Sequence, residues 1–234
     1  MVRLVSASCL LALLLGAASA GATSVLRYTW GDPSGVVLNQ DWAGPQTYTQ
    51  TLTVTGLTGQ VTRIHVTLWT NMVTPQAWYM TINGAAPAND CLGHPAFFAS
   101  PAVAGAQALP GATLSAVGWW FGITSPRPRI ELDVTLDPPF TADPGTRYAI
   151  ATLTFDHANS ATGTAYPPTA CGDADQPFCF VVNYPWYGRA DYTVVGMALE
   201  QDAISWQNAA GTTDCHVVVP VKPTSWGQLK SIYR

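Results

Sequence analysis

The chain has 234 residues, of which 10% are charged, far below the roughly 25% of ordinary soluble domains, and its formal net charge is −4 at pH 7. It carries ten Lys and Arg residues, only two of them lysines, so it lacks the clustered cations that a phosphate backbone demands, and nucleic acid is excluded as a partner. Twenty glycines, eighteen prolines and many threonines and aromatics suit a turn-rich β-module outside the cytoplasm.

The first twenty residues, MVRLVSASCLLALLLGAASA, place one cation at Arg3 before an apolar stretch that runs to Leu15 and ends in small residues. This is the plan of a secretory leader with cleavage expected after Ala20, its apolar part being too short to span a bilayer. Cys9 precedes the apolar stretch, which argues against a lipid anchor. No later stretch reaches the roughly 20 apolar residues of a transmembrane helix. The division expected is a leader over 1–20, one domain over 21–222 and a terminal element over 223–234.

Period-two alternation recurs along the rest of the chain and helical periodicity is nearly absent. VLRYTW reads as a first strand. In TYTQTLTVTG, Tyr48, Leu52 and Val54 share one face; after Gly56-Leu57-Thr58-Gly59, VTRIHVTLWT puts Ile64, Val66 and Leu68 on one face and Arg63, His65 and Thr67 on the other. The pair is expected to form a hairpin across that turn. AWYMTI alternates again, and residues 84–125 form a long irregular stretch ending at Gly118-Trp119-Trp120-Phe121.

RIELDVTL is the clearest strand, with Ile130, Leu132, Val134 and Leu136 opposite Arg129, Glu131, Asp133 and Thr135. DPPFTADPG follows as an expected turn, then RYAIATLTF as a central strand apolar on both faces. Further strands are expected at CFVVNY, DYTVVGMAL and CHVVVPV. About nine short strands between Pro and Gly turns predict an all-β, antiparallel sandwich of jelly-roll or immunoglobulin-like type. At the end, PTSWGQLKSIYR carries Ser225 with Gln228 as a capping box and Trp226, Leu229 and Tyr233 at helical spacing, which predicts a short C-terminal helix.

Removal of the leader leaves Cys91, Cys171, Cys179 and Cys215, an even number that reads as two disulfides in an oxidising compartment. Of the three pairings, spacing favours Cys171 with Cys179 and leaves Cys91 for Cys215. The loop between the first pair, GDADQPF, brings Asp173 and Asp175 close to Gln176, a weak calcium candidate without the length or final glutamate of an EF-hand. No second Cys or His pair sits near enough to suggest zinc, and no cofactor is called for.

Catalytic motifs are lacking: there is no Gly-x-Ser-x-Gly elbow and no His-Glu-x-x-His, and the two glutamates, Glu131 and Glu200, select no carboxylate pair. The aromatic side chains offer more. Trp119 and Trp120, with Tyr184, Trp186 and Tyr187, are the candidates for a flat face that stacks on sugar rings, although neighbouring residues of a strand point to opposite sides.

The loop running through PFCFVVN, the segment ISWQNAAGTTDC and the ending TSWGQLKSIYR resemble a group of uncharacterised secreted bacterial proteins, a likeness that covers under a third of the chain. That resemblance implies export and β-architecture. Relatives in the group often carry another cysteine inside the first loop, where this chain has Gly172-Asp173-Ala174-Asp175. TLTVTGLTGQVTRIHVTLWT is similar to the opening hairpin of the P-domain jelly roll that accompanies secreted proteases, but NMVTPQAWYM replaces the acidic residues that usually follow. The function these readings support is an exported structural or interaction module of the bacterial surface or surroundings, whose partner is an extracellular protein or a polysaccharide. The alternatives are a carbohydrate-binding module using the exposed aromatics, or a secreted hydrolase.

Overall fold

A computed structural model describes residues 23–70, 96–117, 129–163, 171–201, 203–207 and 215. Within them the protein is all-β, two sheets packed face to face as a sandwich, with no helix among the described residues. The described residues hold thirteen strand segments: β1 Val25–Trp30, β2 Asn39–Gln40, β3 Thr47–Thr55, β4 Gly59–Thr70, β5 Ala96–Ala99, β6 Gln107–Ala108 and β7 Ala112–Val117 in the first half. β8 Arg129–Ala142, β9 Tyr148–Asp156, β10 Phe178–Arg189, β11 Val194–Gly196, β12 Ala198–Leu199 and β13 Ala203–Trp206 complete them. Sheet A runs β12-β1-β3-β9-β5 with β6 also on β9, and sheet B runs β2-β13-β10-β4-β8-β7 with β11 also on β10.

The alternation read from the sequence sets the core. Leu52 and Val54 of β3, Ile64, Val66 and Leu68 of β4, and Ile130, Leu132 and Val134 of β8 are all buried in one cluster between the sheets. At its centre Trp30 and Trp206 meet at 5.7 Å, and Trp30 meets Phe180 edge-on at 6.1 Å. Both of these indole N–H groups have an acceptor: Trp30 donates to the Ser205 carbonyl (2.8 Å) and Trp206 to that of Ala174 (2.7 Å). That is the condition for burying tryptophan without stranding its polar edge.

Several expectations need correction. β3 and β4 are not a hairpin: β3 pairs with β1 and β9 in sheet A, while β4 pairs with β8 and β10 in sheet B. Residues 56–58 therefore arch from one sheet to the other. Beside them, residues 143–147 carry β8 across to β9 in a second arch, joined to the first where Gly56 N–H donates to the Pro144 carbonyl (3.1 Å). Gly56 has φ +76°, and a Cβ there would lie 2.5 Å from the Thr23 carbonyl oxygen, so the crossing is tight enough to require glycine.

The expected turn DPPFTADPG is strand for its first six residues. β8 continues through Asp137-Pro138-Pro139-Phe140 to Ala142, past a register shift between Val61 and Arg63 of β4 and a cis Asp137-Pro138 bond. The prolines are accommodated where the ladder is interrupted, so their missing N–H groups break no cross-strand bond. DYTVVGMAL divides into β11 of sheet B and β12 of sheet A. Most pairings are antiparallel, but three short ones, β1 with β12, β2 with β13 and β6 with β9, are parallel. The strand expected at AWYMTI, that at CHVVVPV beyond Cys215, the leader and the C-terminal helix lie outside the described residues.

The cysteine pairing is also corrected. Cys179 is bonded to Cys215, with Cα atoms 5.7 Å apart, and Cys171 is itself disulfide-bonded but not to Cys179. Cys179 and Val181 alternate with the core residues Phe178, Phe180 and Val182, so their side chains leave the opposite face of sheet B, where Cys215 and half-buried Ala203 complete a small second cluster. Cys171 is in a loop, bridged to Ser160.

Candidate functional site

The two outer faces of the sandwich differ. On sheet A, Thr29, Thr51, Thr53 and Thr152 are buried. Thr29 donates to the Val37 carbonyl (3.1 Å) and Thr51 to that of Gly31 (2.6 Å), which lays the segment 31–38 over that face. On sheet B the outward positions of β7, β8, β4 and β10 make a graded surface of polar and aromatic side chains.

The ladder register fixes its rows. One row runs Gly196, Trp186, His65, Asp133, Ser115 across β11, β10, β4, β8 and β7. The next runs Val194, Gly188, Arg63, Thr135, Thr113 across the same strands. Residues facing one another across neighbouring strands are the contacting pairs of a sheet, and here they contact closely. The indole of Trp186 stacks on the His65 imidazole at 5.1 Å and 18°, and the Arg63 guanidinium carbon lies 5.4 Å from its centroid. Arg63 Nε and Nη2 each lie 2.8 Å from Asp133 Oδ1, and His65 Nδ1 lies 3.0 Å from the same oxygen. Burial alone would raise the Asp133 carboxyl, but the hydrogen bonds and charges of Arg63 and His65 outweigh it and hold its pKa below the ordinary value. The same bond to Asp133 raises the Arg63 guanidinium.

His65 Nε2 lies 3.1 Å from Thr67 Oγ1, so Asp133, His65 and Thr67 are linked in the order of a relay. Thr67 is only 7% exposed, and the linkage fixes the imidazole plane against Trp186 instead of presenting a hydroxyl for attack.

A bulge decides which aromatic is displayed. Between the pairs Asn183 with Thr67 and Trp186 with His65, β10 advances three residues and β4 two. The extra residue reverses the alternation: Phe178, Phe180 and Val182 face the core before it, and Tyr187 faces the core after it. Trp186 is thereby turned outward and is half-buried, whereas Tyr187 is 1% exposed. Tyr184 sits within the bulge at φ +48° and is 71% exposed. Tyr192 on the adjoining β10–β11 turn is 95% exposed, and Val194 at the start of β11 is 64% exposed.

The candidates read from the sequence therefore separate. Tyr184 and Trp186 are accessible neighbours. Tyr187 leaves no ring face for a ligand; its hydroxyl meets Ser24, Thr58 and Arg189 inside the arch, and although burial would raise that phenol, these contacts lower it. Trp119 and Trp120 lie outside the described residues, as does Cys91. Asp173 is a turn residue at φ +65° whose carbonyl accepts from Gln176 N–H, and Asp175 accepts from Gly163 N–H (3.0 Å). The Asp175 carboxylate thus serves the local loop, and among the described residues no three His, Cys, Asp or Glu side chains converge. Arg63, His65 and Asp133 were not singled out from sequence, although alternation had already placed all three on wet strand faces.

No protein-family model matches the chain, and no curated protein matches it. Among solved structures it is similar to a cohesin module from a Clostridium perfringens family 33 glycoside hydrolase, at 10% identity over 79% of this chain and 98% of that one, TM-score 0.40. It is similar to a non-cellulosomal cohesin from Archaeoglobus fulgidus at 8% identity over 83% and 100%, TM-score 0.41. A third is the second type II cohesin module of the cellulosomal adaptor ScaA scaffoldin of Acetivibrio cellulolyticus, at 10% identity over 78% and 96%, TM-score 0.41. Likenesses at that distance carry no function across.

Proposed function

We propose that the chain is an exported interaction module that engages an extracellular partner through the outer face of sheet B, at the end formed by β10 and β11. The observation that carries this reading is the state of Trp186: held on one side by His65 and Arg63, half-exposed, and flanked by the exposed Tyr184 and Val194. A large ring whose position is fixed before binding loses little entropy on contact, which is what distinguishes a recognition anchor from a loose surface side chain. Export is supported by the leader-like first twenty residues and by the Cys179–Cys215 disulfide, a bond that persists in oxidising compartments.

Photo-crosslinking amino acids placed at 184, at 194 and, as a control on the far side of the same face, at 113 test the reading in the producing cells. The same extracellular component, glycan or protein, should be captured from 184 and 194 and not from 113. Equal capture at all three positions, or none at 184 and 194, would refute it.

A further inference from the structure

Resting on that reading, we propose that Trp186 and the notch beside it form a stacking subsite for a neutral pyranose ring of an extracellular polysaccharide. Arg63 and His65 both reach Asp133, which lies beyond β4 as seen from Trp186, so both occupy the same side of the indole. The other ring face is directed toward β11, where the register partner is Gly196. A Cβ built at Gly196 meets nothing within 4 Å, and one at Gly188 meets the indole Cζ3 at 3.8 Å. The indole thus leans over one glycine and looks across another. Two glycines on the outward side leave a notch floored by backbone, walled by the open indole face and bounded at its end by Val194.

The occupant follows from the chemistry of the walls. The indole face is the negative end of the ring quadrupole and attracts the C–H bonds that a pyranose presents on one side. Around that ring stand hydroxyl groups, which both donate and accept. Arg63 and Asp133 stand on the covered side of the indole, bonded to each other, so the hydroxyl rim of a ring on the open face is met by solvent and by the backbone that floors the notch. The charges of the face are internally matched, Arg63 with Asp133 and Arg129 with Glu131 (3.0 Å), so the notch offers no net cationic field to select an acidic sugar. A ring that is apolar on one face, polar at its rim and uncharged fits all three features.

Affinity electrophoresis of the mature chain tests this, in gels holding soluble β-1,3-glucan, hydroxyethylcellulose, arabinoxylan or galactomannan, with alginate as the acidic comparison. At least one neutral polymer should retard the protein, and about 0.5 M salt should leave that retardation unchanged. Trp186→Ala should weaken it about tenfold or more, and Trp186→Phe by less. Gly196→Val places a branched side chain in the notch, where its Cβ meets no atom within 4 Å, and should weaken it to a similar degree, with an unaltered thermal midpoint showing that the fold is kept. Absence of retardation by all four neutral polymers, retardation insensitive to Gly196→Val, or retention on alginate alone that salt abolishes would each overturn the assignment. Crosslinking of a protein from 184 and 194 without polysaccharide retention removes the sugar and keeps the interaction reading; failure of both experiments removes both.

Discussion

His157 makes the stability of this fold depend on pH well above the carboxylate range. Its side chain is fully buried, stacked on Trp206 at 5.7 Å and 14°, met edge-on by Trp42 and Tyr48, with Nδ1 2.9 Å from Ser160 Oγ. Those neighbours carry no charge between pH 3 and 7, and burial lowers the imidazole pKa from 6.5 to about 3. The sign follows directly. As pH falls below 6.5 the unfolded chain takes up a proton that the folded chain refuses, so stability is complete above 6.5, declines with falling pH, and stops declining near 3. At pH 5 the unfolded imidazole is almost wholly protonated, and the loss relative to pH 7 is about 2 kcal/mol; it grows to about 4 kcal/mol near pH 3. Against a typical total of roughly 5–15 kcal/mol, the first figure is readily measured. The assay is urea unfolding at pH 7 and pH 5 for the natural protein and for His157→Phe, which keeps an aromatic ring against Trp206. At pH 7 the variant should be weaker by about 1 kcal/mol for the lost Ser160 contact. Between pH 7 and pH 5 it should lose about 2 kcal/mol less than the natural protein, and so be the more stable of the two at pH 5 by about 1 kcal/mol. Equal pH dependence in the two proteins would refute the argument.

Two further outcomes concern the covalent and backbone framework. Non-reducing peptide mapping should recover the peptides of Cys179 and Cys215 as one species, and Cys179→Ser should cost about 4 kcal/mol, the chain-entropy value for a separation of 36 residues; recovery of Cys171 joined to Cys179 would contradict the fold. Gly56→Ala should lower stability by about 1–3 kcal/mol, because the residue combines φ +76° with a Cβ position 2.5 Å from a carbonyl oxygen, whereas Gly163→Ala has the same strain with open space and should cost less.

The parts of this fold that were legible in the sequence share one physical basis. Where one side of a strand meets the core and the other meets water, alternation names the buried set, as it did for Ile64, Val66 and Leu68 and for Ile130, Leu132, Val134 and Leu136. Alternation is silent about which strand lies alongside. Gly56-Leu57-Thr58-Gly59 serves a hairpin or an arch equally well, and only the pairing of β3 with β9 and of β4 with β8 decides for the arch. The cysteines failed for the same reason. Nearness along the chain favoured Cys171 for Cys179, but Cys179 sits on the outward side of a central strand, and what reaches that side is set by the placement of β13 beside β10.

The outer face of sheet B shows how far one local irregularity can redirect which side chains are displayed. Strict alternation through β10, counted from Phe178, Phe180 and Val182, would send Trp186 into the core and Tyr187 into solvent. The structure does the reverse, because Tyr184 and Pro185 together occupy what is a single step on β4. The sequence held a signal for this: proline in the middle of an interior strand cannot donate to the ladder and is found at bulges. With the bulge counted, Trp186 falls between His65 and Gly196, and the same step that buries the Tyr187 ring leaves the indole with one face held and one face open. The displayed aromatic is thus chosen by backbone register, which is why composition alone pointed to five rings and the geometry retains two of those the structure describes, Tyr184 and Trp186.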